Sequence, residues 1–519
     1  MKLFLGIEFG STRIKAVLID ESHNIISTGA FTWENQFVNG VWTYSLELAK
    51  EGLISCYKEL KENYFKKYNK VLTRVDSIGV SAMMHGYLVF DKNDNQLAEF
   101  RTWRNTITQQ ASDILTNEFN FHIPQRWSIA HIYQAILNKE KEVKDIVFST
   151  TLAGYFHYLF TGRKVLGIGE ASGVFPIDQK TGTYNSNMVQ KFDKLIENEV
   201  DWKILDIIPS VLLAGENAGY LTKEGSLTID PTGDLEVGIP LCPPEGDMGT
   251  GMAATNSTRA GTGNCSIGTS SNLTVVTNAD INLYREIDVI ATPTGVNAAL
   301  VHVNNGTNEI NAWEKLFKEI IGAFKPDITD GEIYELLFTK VLEGDKSSKG
   351  LYPLCYLSGE PITKINEGKL LFIREPDSVL NLANFMRSQV YSLLATIRIG
   401  LDILRDQEKV VVNKLIGHGG FFKTPGVGES MLAAALNVSV ATLSSASEGG
   451  PYGMALLSAY SILKEEDETL EDYLDNKVFS IQGSNLYQPV KEDVEGFDDF
   501  LEKFKKVLDV EKEAITQLK

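Results

Sequence analysis

Two short segments of this 519-residue chain share one design and lie half a chain apart. In the first, the apolar run Leu3 to Ile7 leads through Glu8-Phe9 into Gly10-Ser11-Thr12, and a second apolar run, Ile14 to Ile19, follows. In the second, Asn264-Cys265-Ser266-Ile267 leads into Gly268-Thr269-Ser270-Ser271 and then Leu273-Thr274-Val275-Val276. Apolar, β-favouring runs on either side of a small glycine-led turn predict a hairpin. Gly268 follows Gly10 by 258 residues, close to half the chain, so an internal duplication is the reading. The length suits two or three domains. The repeat selects two, 1–250 and 251–519, each with its own hairpin.

The rest of the chain alternates strand and helix, which predicts an α/β protein. Leu46, Ala49, Leu53, Cys56, Tyr57 and Leu60 recur at helical spacing. Val75 to Ala82 reads as a strand ending at Met83-Met84-His85-Gly86. Leu235 to Met252 is rich in Gly and Pro, a candidate domain junction or a loop that lets backbone approach a ligand. Phe385 to Leu404 reads as a long helix, Val410 to Val412 and Leu415-Ile416 as strand, and Gly417-His418-Gly419-Gly420 as a break before an Ala-rich helix. The acidic tail beyond Glu465 keeps apolar positions such as Phe497, Phe500 and Phe504, which assigns it to the second half as a packed helix.

Charge narrows the function classes. There are 49 Lys and Arg against 68 Asp and Glu, a net charge of −19. A general nucleic-acid binder needs a basic footprint, so that class is excluded. A small anionic ligand is not, because backbone amides, one lysine and a metal ion suffice to hold it. No apolar run approaches the roughly 20 residues of a membrane span. The apolar start of the chain breaks at Glu8, too short for the core of a signal peptide. Cys56, Cys242, Cys265 and Cys355 show no CxxC spacing, so neither zinc site nor disulfide framework is expected, and a reduced cytoplasmic setting is the default. The sequence leaves oligomeric state open, with a homodimer as one option.

Five places carry candidate chemistry. In Glu8-Phe9-Gly10-Ser11-Thr12-Arg13-Ile14-Lys15, the glycine turn exposes amides, two hydroxyls add donors and Lys15 adds a cation. That set can hold terminal phosphates, with Glu8 placed to bind a metal through water; the plain alternative is a hairpin turn with a solvated lysine. In Gly246-Asp247-Met248-Gly249, an aspartate among glycines can accept a proton from a substrate hydroxyl and help hold magnesium, or simply occupy a turn. Gly268-Thr269-Ser270 is a second turn of the phosphate type. Gly419 and Gly420 let a flat ring or a phosphate reach the backbone before a helix N-terminus, though the Gly-Lys-Ser/Thr ending of a P-loop is absent. Met84-His85-Gly86 with Trp103-Arg104-Asn105 offers several donors and one flat wall, which suits a small polyhydroxylated ligand; the alternative is a loop braced by Arg on Trp.

The order of these features resembles the FGGY family of carbohydrate kinases over nearly the whole chain. The family's Asp-x-Gly-Thr-Thr-x-x-Lys pattern resembles Glu8 to Lys15, its Met-His-Gly sugar loop Met84-His85-Gly86, and its Leu-Thr-Gly helix end Phe160-Thr161-Gly162. Its Ala-Ser stretch is similar to Ala171-Ser172, its Gly-Gly-Asp region to Glu245-Gly246-Asp247 and its Gly-Thr-Ser turn to Gly268-Thr269-Ser270. Its Pro-Tyr-Leu-Ser-Gly-Glu run resembles Cys355 to Glu360, its adenosine loop Gly417 to Pro425, and its closing Gly-Ala-Ala helix Tyr452-Gly453-Met454-Ala455. The resemblance implies a two-domain fold of the actin-like ATPase type, with duplicated ribonuclease-H-like halves and a ligand cleft between them. It further implies ATP with Mg2+ and Asp247 as general base; Met84-His85-Gly86 leans towards the family's xylulose and gluconate branch, Trp103-Arg104-Asn105 departs from the Trp-Asn-Asp of its xylulose kinases, and the expected acceptor is a ketose, xylulose-like first. Gly10, Ser11, Thr12 and Lys15 would hold the γ-phosphate, Gly268 and Thr269 the β/γ region, and Gly419 and Gly420 the adenosine; the metal would sit near Glu8 and Asp247.

Several positions depart from the family pattern. Glu8 stands where Asp is usual, and its extra methylene moves the carboxylate by more than about one ångström. Ala130-His131 stands near a common Lys, Gly169-Glu170 near a frequent Asp, Met248 where Gln or Asn is common, and Glu245 in place of a Gly. Two rival readings follow: a catalytically weak or inactive relative that binds sugar or nucleotide, and an actin- or Hsp70-like ATPase that needs no sugar.

Overall fold

The structure is a computed structural model that describes residues 1–443, 449–480 and 485–518. Strands β1 (Leu3–Phe9), β2 (Arg13–Asp20) and β3 (Ile25–Thr32) form an antiparallel meander. Strands β4 (Ser77–Ala82) and β5 (Glu245–Gly246) then add in parallel beside β1, so the first sheet runs β5-β4-β1-β2-β3.

The second sheet repeats that plan. Strands β6 (Thr262–Ile267) and β7 (Ser271–Thr277) form its hairpin, and β8 (Ile287–Ala291) and β9 (Asn297–Val303) follow. Strands β10 (Lys414–His418), β11 (Ser439–Ala441) and β12 (Leu486–Tyr487) complete the order β8-β9-β7-β6-β10-β11-β12. Removing the edge strands β8 and β12 leaves three antiparallel strands followed by two parallel ones in each sheet, the same topology twice. This duplicated α/β arrangement is the expected fold class.

The helices cover the sheets for legible reasons. Helix α1 (Leu46–Tyr68) starts at Ser45, whose side chain accepts from Leu48 N, and stops at Asn69 in the left-handed conformation. Its buried face is the one the 3.6-residue spacing picks out, Leu46, Ala49, Leu53, Cys56, Tyr57 and Leu60. Each large side chain so buried contributes about 1.5–3 kcal/mol. Helix α1 lies close on the sheet: a Cβ on Gly29 of β3 would sit 2.1 Å from Cys56 O. Helices α2 (Leu152–Thr161), α3 (Ile168–Ala171) and α4 (Asp247–Ala254) follow in the first half. In the second half, α5 (Leu382–Glu408) and α6 (Val427–Leu436) pack into the core around β6, β7 and β9.

Two details differ from the sequence reading. The strand expected at Val410 to Val412 starts only at Lys414, because α5 runs on to Glu408, Lys409 caps it with positive φ, and Asn413 N is held by Gly261 O. The last part of the chain, from Gly450 on, also divides. Helix α7 (Gly450–Leu463) returns to the first sheet, where a Cβ on Gly6 would meet Pro451 O at 2.1 Å. Tyr452, Met454, Leu456, Tyr473 and Leu474 share one core with Phe4, Val17 and Ile19. Helix α8 (Lys491–Gln517) instead buries Phe497, Phe500 and Phe504 in the second half's core. Amphipathic spacing says that a segment hides a face; it does not say which sheet receives it. Among the described residues no helix is long and apolar enough to cross a membrane.

Candidate active site

Strands β1, β4 and β5 run parallel, so their C-terminal ends share one edge. The hairpin tip after Phe9, the Met84-His85-Gly86 loop after Ala82 and Asp247 after Gly246 all leave the sheet there. The second sheet sends the Gly268 tip and Gly419 off the matching edge of β6 and β10. Ligands of open parallel sheets bind beyond such edges.

At the first tip, Glu8 faces Lys15 and Phe9 faces Ile14, leaving the three residues Gly10 to Thr12. The tip's oxygens are tied from behind. Trp33 Nε1 donates to Gly10 O at 2.7 Å, Tyr44 Oη to Ser11 O at 2.6 Å and Trp33 N to Thr12 O at 3.1 Å. In a trans peptide the N–H points away from the oxygen of the same unit. The N–H groups of Ser11 and Thr12 therefore point opposite to the tied oxygens, and neither has an acceptor among the described residues. Such paired amides form an anion-binding concavity.

The second tip is built alike. Thr307 N donates to Gly268 O at 2.8 Å, and Gly306 N (2.9 Å) and Asn308 Nδ2 (3.2 Å) to Thr269 O. The amides of Thr269 and Ser270 are left without acceptors among the described residues. Gly419 presses on this hairpin: its φ is +101°, and a Cβ there would lie 2.6 Å from Ile267 O. Only glycine suits both conditions. Gly420 has open space where a Cβ would stand, and Tyr334 Oη donates to its carbonyl at 3.1 Å.

Asp247 is the first residue of α4, not part of an ordinary turn. Its Oδ1 accepts Met84 N at 3.3 Å, which ties it to the Met-His-Gly loop. Burial pushes its carboxyl up to about 6, against the pull of the Met84 and Met248 amides and of Arg126. Glu8 is pushed up to about 7, chiefly by burial and then by the charge of Asp247, with Lys15 opposing. The two carboxyls are thus near enough to act on each other. Glu8 also abuts the start of α7: a Cβ on Gly450 would lie 2.0 Å from Glu8 Oε1, so any side chain there would displace that carboxylate.

Two more carboxyls lie behind Asp247. Glu245 accepts from Gly169 N at 3.3 Å and Glu170 N at 2.9 Å, and burial pushes it up to about 8. Glu170 is fully buried with neither oxygen hydrogen-bonded among the described residues. Burial, with the charges of Asp247 and Glu245, holds it well above the usual carboxylate range.

His85 takes positive φ and stacks near Trp127, and its Nδ1 lies 3.2 Å from Gly173 O. Burial and the nearby Arg126 lower its pKa to about 3, so the ring is neutral. The Trp103-Arg104-Asn105 segment divides. Trp103 is exposed and donates through Nε1 to Ser11 Oγ at 3.3 Å, beside the first tip. Arg104 stacks 4.2 Å over Trp42 and donates to Asn35 Oδ1 at 3.1 Å. Asn105 spends its whole amide on backbone, accepting from Trp42 N and donating to Trp42 O and Thr102 O. Asn105 thus takes the loop-bracing role, held by the strand carrying Trp42, while Arg104, braced on Trp42, is exposed and engages only Nη1.

With this geometry in hand, comparison with known proteins settles the family. Residues 3–247 match the N-terminal domain of the FGGY family of carbohydrate kinases, and residues 263–462 its C-terminal domain. The chain belongs to the FGGY family of carbohydrate kinases. It is a sugar kinase, and a kinase of this family uses ATP. This FGGY kinase is 22% identical over 438 residues to a xylulose kinase of Haemophilus influenzae, covering 80% of this chain and 83% of that one. Its fold is shared with the xylulose kinase from Rhodospirillum rubrum (TM-score 0.78, 16% identity, 98% and 99% of the two chains). It is shared as well with the gluconate kinase from Lactobacillus acidophilus (0.78, 15%, 98% of each) and the Plasmodium falciparum glycerol kinase with ADP (0.76, 13%, 98% of each).

Sequence reading of this FGGY kinase missed Arg126. It lies between Asp247 and the second half, with Nε donating to His85 Nε2 at 3.3 Å and Nη2 bonded to Asp288. No spacing marks it; the only signal is a lone Arg beside Trp127 in a polar loop.

Proposed function

We propose that this FGGY kinase transfers the γ-phosphoryl group of ATP to a hydroxyl of a ketose, xylulose-like first, with Asp247 taking the hydroxyl proton. The observation that carries this is the seat of Asp247: a buried carboxyl, pushed up to about 6, hydrogen-bonded to the Met84 amide of the sugar loop and close enough to Glu8 to shift its titration. A base near this pKa is ionised at neutral pH yet still draws a proton well. The Ser11 and Thr12 amides with Lys15 would hold the γ-phosphate, the Gly268-Thr269 tip the β/γ region, and Gly419-Gly420 the adenosine. Positioning and charge neutralisation of this kind are most of what phosphoryl transfer needs.

A magnesium ion fits the donor set. Among the described residues no three His, Cys, Asp or Glu side chains are placed to hold a metal alone, and magnesium characteristically takes one or two carboxylates together with substrate phosphates and water. Glu8 and Asp247 would supply those carboxylates, and the bound ion would shield phosphate charge.

The test is ADP release against a panel of ketoses, polyols and aldonates, repeated with Asp247→Ala. The expected outcome is turnover with a ketose, lowered by roughly 10²–10⁴-fold in the variant. Near wild-type turnover in Asp247→Ala removes Asp247 as base; no turnover with any acceptor removes the ketose reading.

A further inference from the structure

Asp288 lies on β8, the edge strand of the second sheet, yet its partners belong to the first half. One carboxylate oxygen takes Arg126 Nη2; the other lies 3.2 Å from His122 Nδ1, which also faces Ile287 O at 3.2 Å. The carboxylate is buried, and although burial opposes ionisation, Arg126 and His122 hold its pKa well below the usual range. Arg126 in turn donates through Nε to His85 Nε2. That makes Nε2 the acceptor and Nδ1 the protonated nitrogen, which donates to Gly173 O. A line of bonds thus runs from the second half through Asp288, Arg126 and His85 to Gly173, beside the Met84 amide that binds Asp247.

We propose that Asp288 is a positioning residue for the sugar loop: from the second half it fixes the plane of the Arg126 guanidinium, and Arg126 fixes the tautomer and angle of His85. A guanidinium is planar, so anchoring one corner orients the other two. Arg126 Nη1 makes no hydrogen bond among the described residues. The anchor therefore also sets where that corner points, on a guanidinium whose charge already acts on Asp247. A lysine ammonium, a single point donor on a flexible stem, would not hold a fixed plane between His85 and Asp288.

The inference rests on the sugar-kinase reading, and two readouts keep the claims separate. With the acceptor that the wild type turns over, Asp288→Asn is expected to raise acceptor KM by roughly tenfold or more, the loss for one charge-assisted hydrogen bond. The KM for ATP stays within about twofold, because both phosphate tips keep their ties. Arg126→Lys gives the same split, and the double variant is no worse than the worse single, as coupled partners require. An unchanged acceptor KM, or a parallel rise in ATP KM, overturns the proposal. The second readout needs no turnover. In hydrogen–deuterium exchange, Asp288→Asn is expected to speed exchange across 84–86 while 8–15 stays as in the wild type. Unchanged exchange at 84–86 overturns the proposal whether or not an acceptor is found.

Discussion

The two hairpin tips are nearly one object in backbone terms and quite different in charge. Both have three residues at the tip, both have their oxygens tied from behind, and both leave two amides without acceptors among the described residues. The cross-strand pair beneath each tip is what differs. In the first hairpin it is Glu8 facing Lys15; in the second, at the same register, Ser266 faces Asn272. Asn272 is neutral and engaged by His302 Nδ1 at 2.5 Å. Asp247 follows β5, a strand of the first sheet, and no such carboxylate follows the equivalent β11 among the described residues. Duplication has kept what a backbone turn can offer an anion, and among the described residues the first copy alone places ionisable side chains beneath its tip.

The largest effect expected from this difference comes from matched truncations. Lys15→Ala should cut sugar-dependent kcat/KM by about 10²-fold, as for loss of one preorganised charge at a transferring group. Asn272→Ala should stay within about threefold, since the second tip binds through backbone. Steady-state kinetics with ATP and acceptor varied in turn decide it. Equal losses at the two positions would break the division of labour.

A smaller effect is expected at Glu8. Its carboxyl is pushed up to about 7, so the ionised form is present above that pH and lost as pH falls through it. If Glu8 helps hold magnesium, half-saturating magnesium should climb as pH drops from 8 to 6, because a metal ligand must first lose its proton. Glu8→Gln should raise that concentration by roughly tenfold at pH 8 and flatten its pH dependence, on the scale of one lost ligand contact. Activity titrated with magnesium across pH measures both. The same steep rise in the Gln variant would take Glu8 out of the metal site.

How much of this was legible beforehand depends on the kind of interaction. The tips could be read because glycine-led turns between β-branched runs are local. Asp247 could be read because glycines flank it and the order of motifs surrounds it. Arg126 and Asp288 could not: they lie 162 residues apart in different halves, and nothing local marks a pair that exists only once β8 lies beside the loop before Trp127. Asn105 misled because a buried amide can serve its own backbone as readily as a ligand, and Trp42 made that choice. The return of α7 to the first sheet was hidden for a related reason. Its small, apolar residues fit either sheet, and only the close approach at Gly6 selects one.

The smallest effect concerns stability, and again separates the halves. The second half buries Glu360 near its tip and gives one oxygen three donors, Asn304 N, Asn305 N and Asn305 Nδ2. The first half buries Glu170 with neither oxygen bonded among the described residues. A carboxyl whose folded pKa is raised keeps its proton when the unfolded chain, titrating near 4.5, has released it. Between those two values the folded state binds the extra proton, so stability falls as pH rises, by at most about 1.4 kcal/mol per unit for one group. Glu170→Gln removes that titration while keeping the shape of the side chain. Its melting temperature relative to the wild type should therefore move upward steadily from pH 5 to pH 8, with little difference at the acid end. A difference that shrinks with rising pH would mean that Glu170 is ionised and bonded in the folded protein.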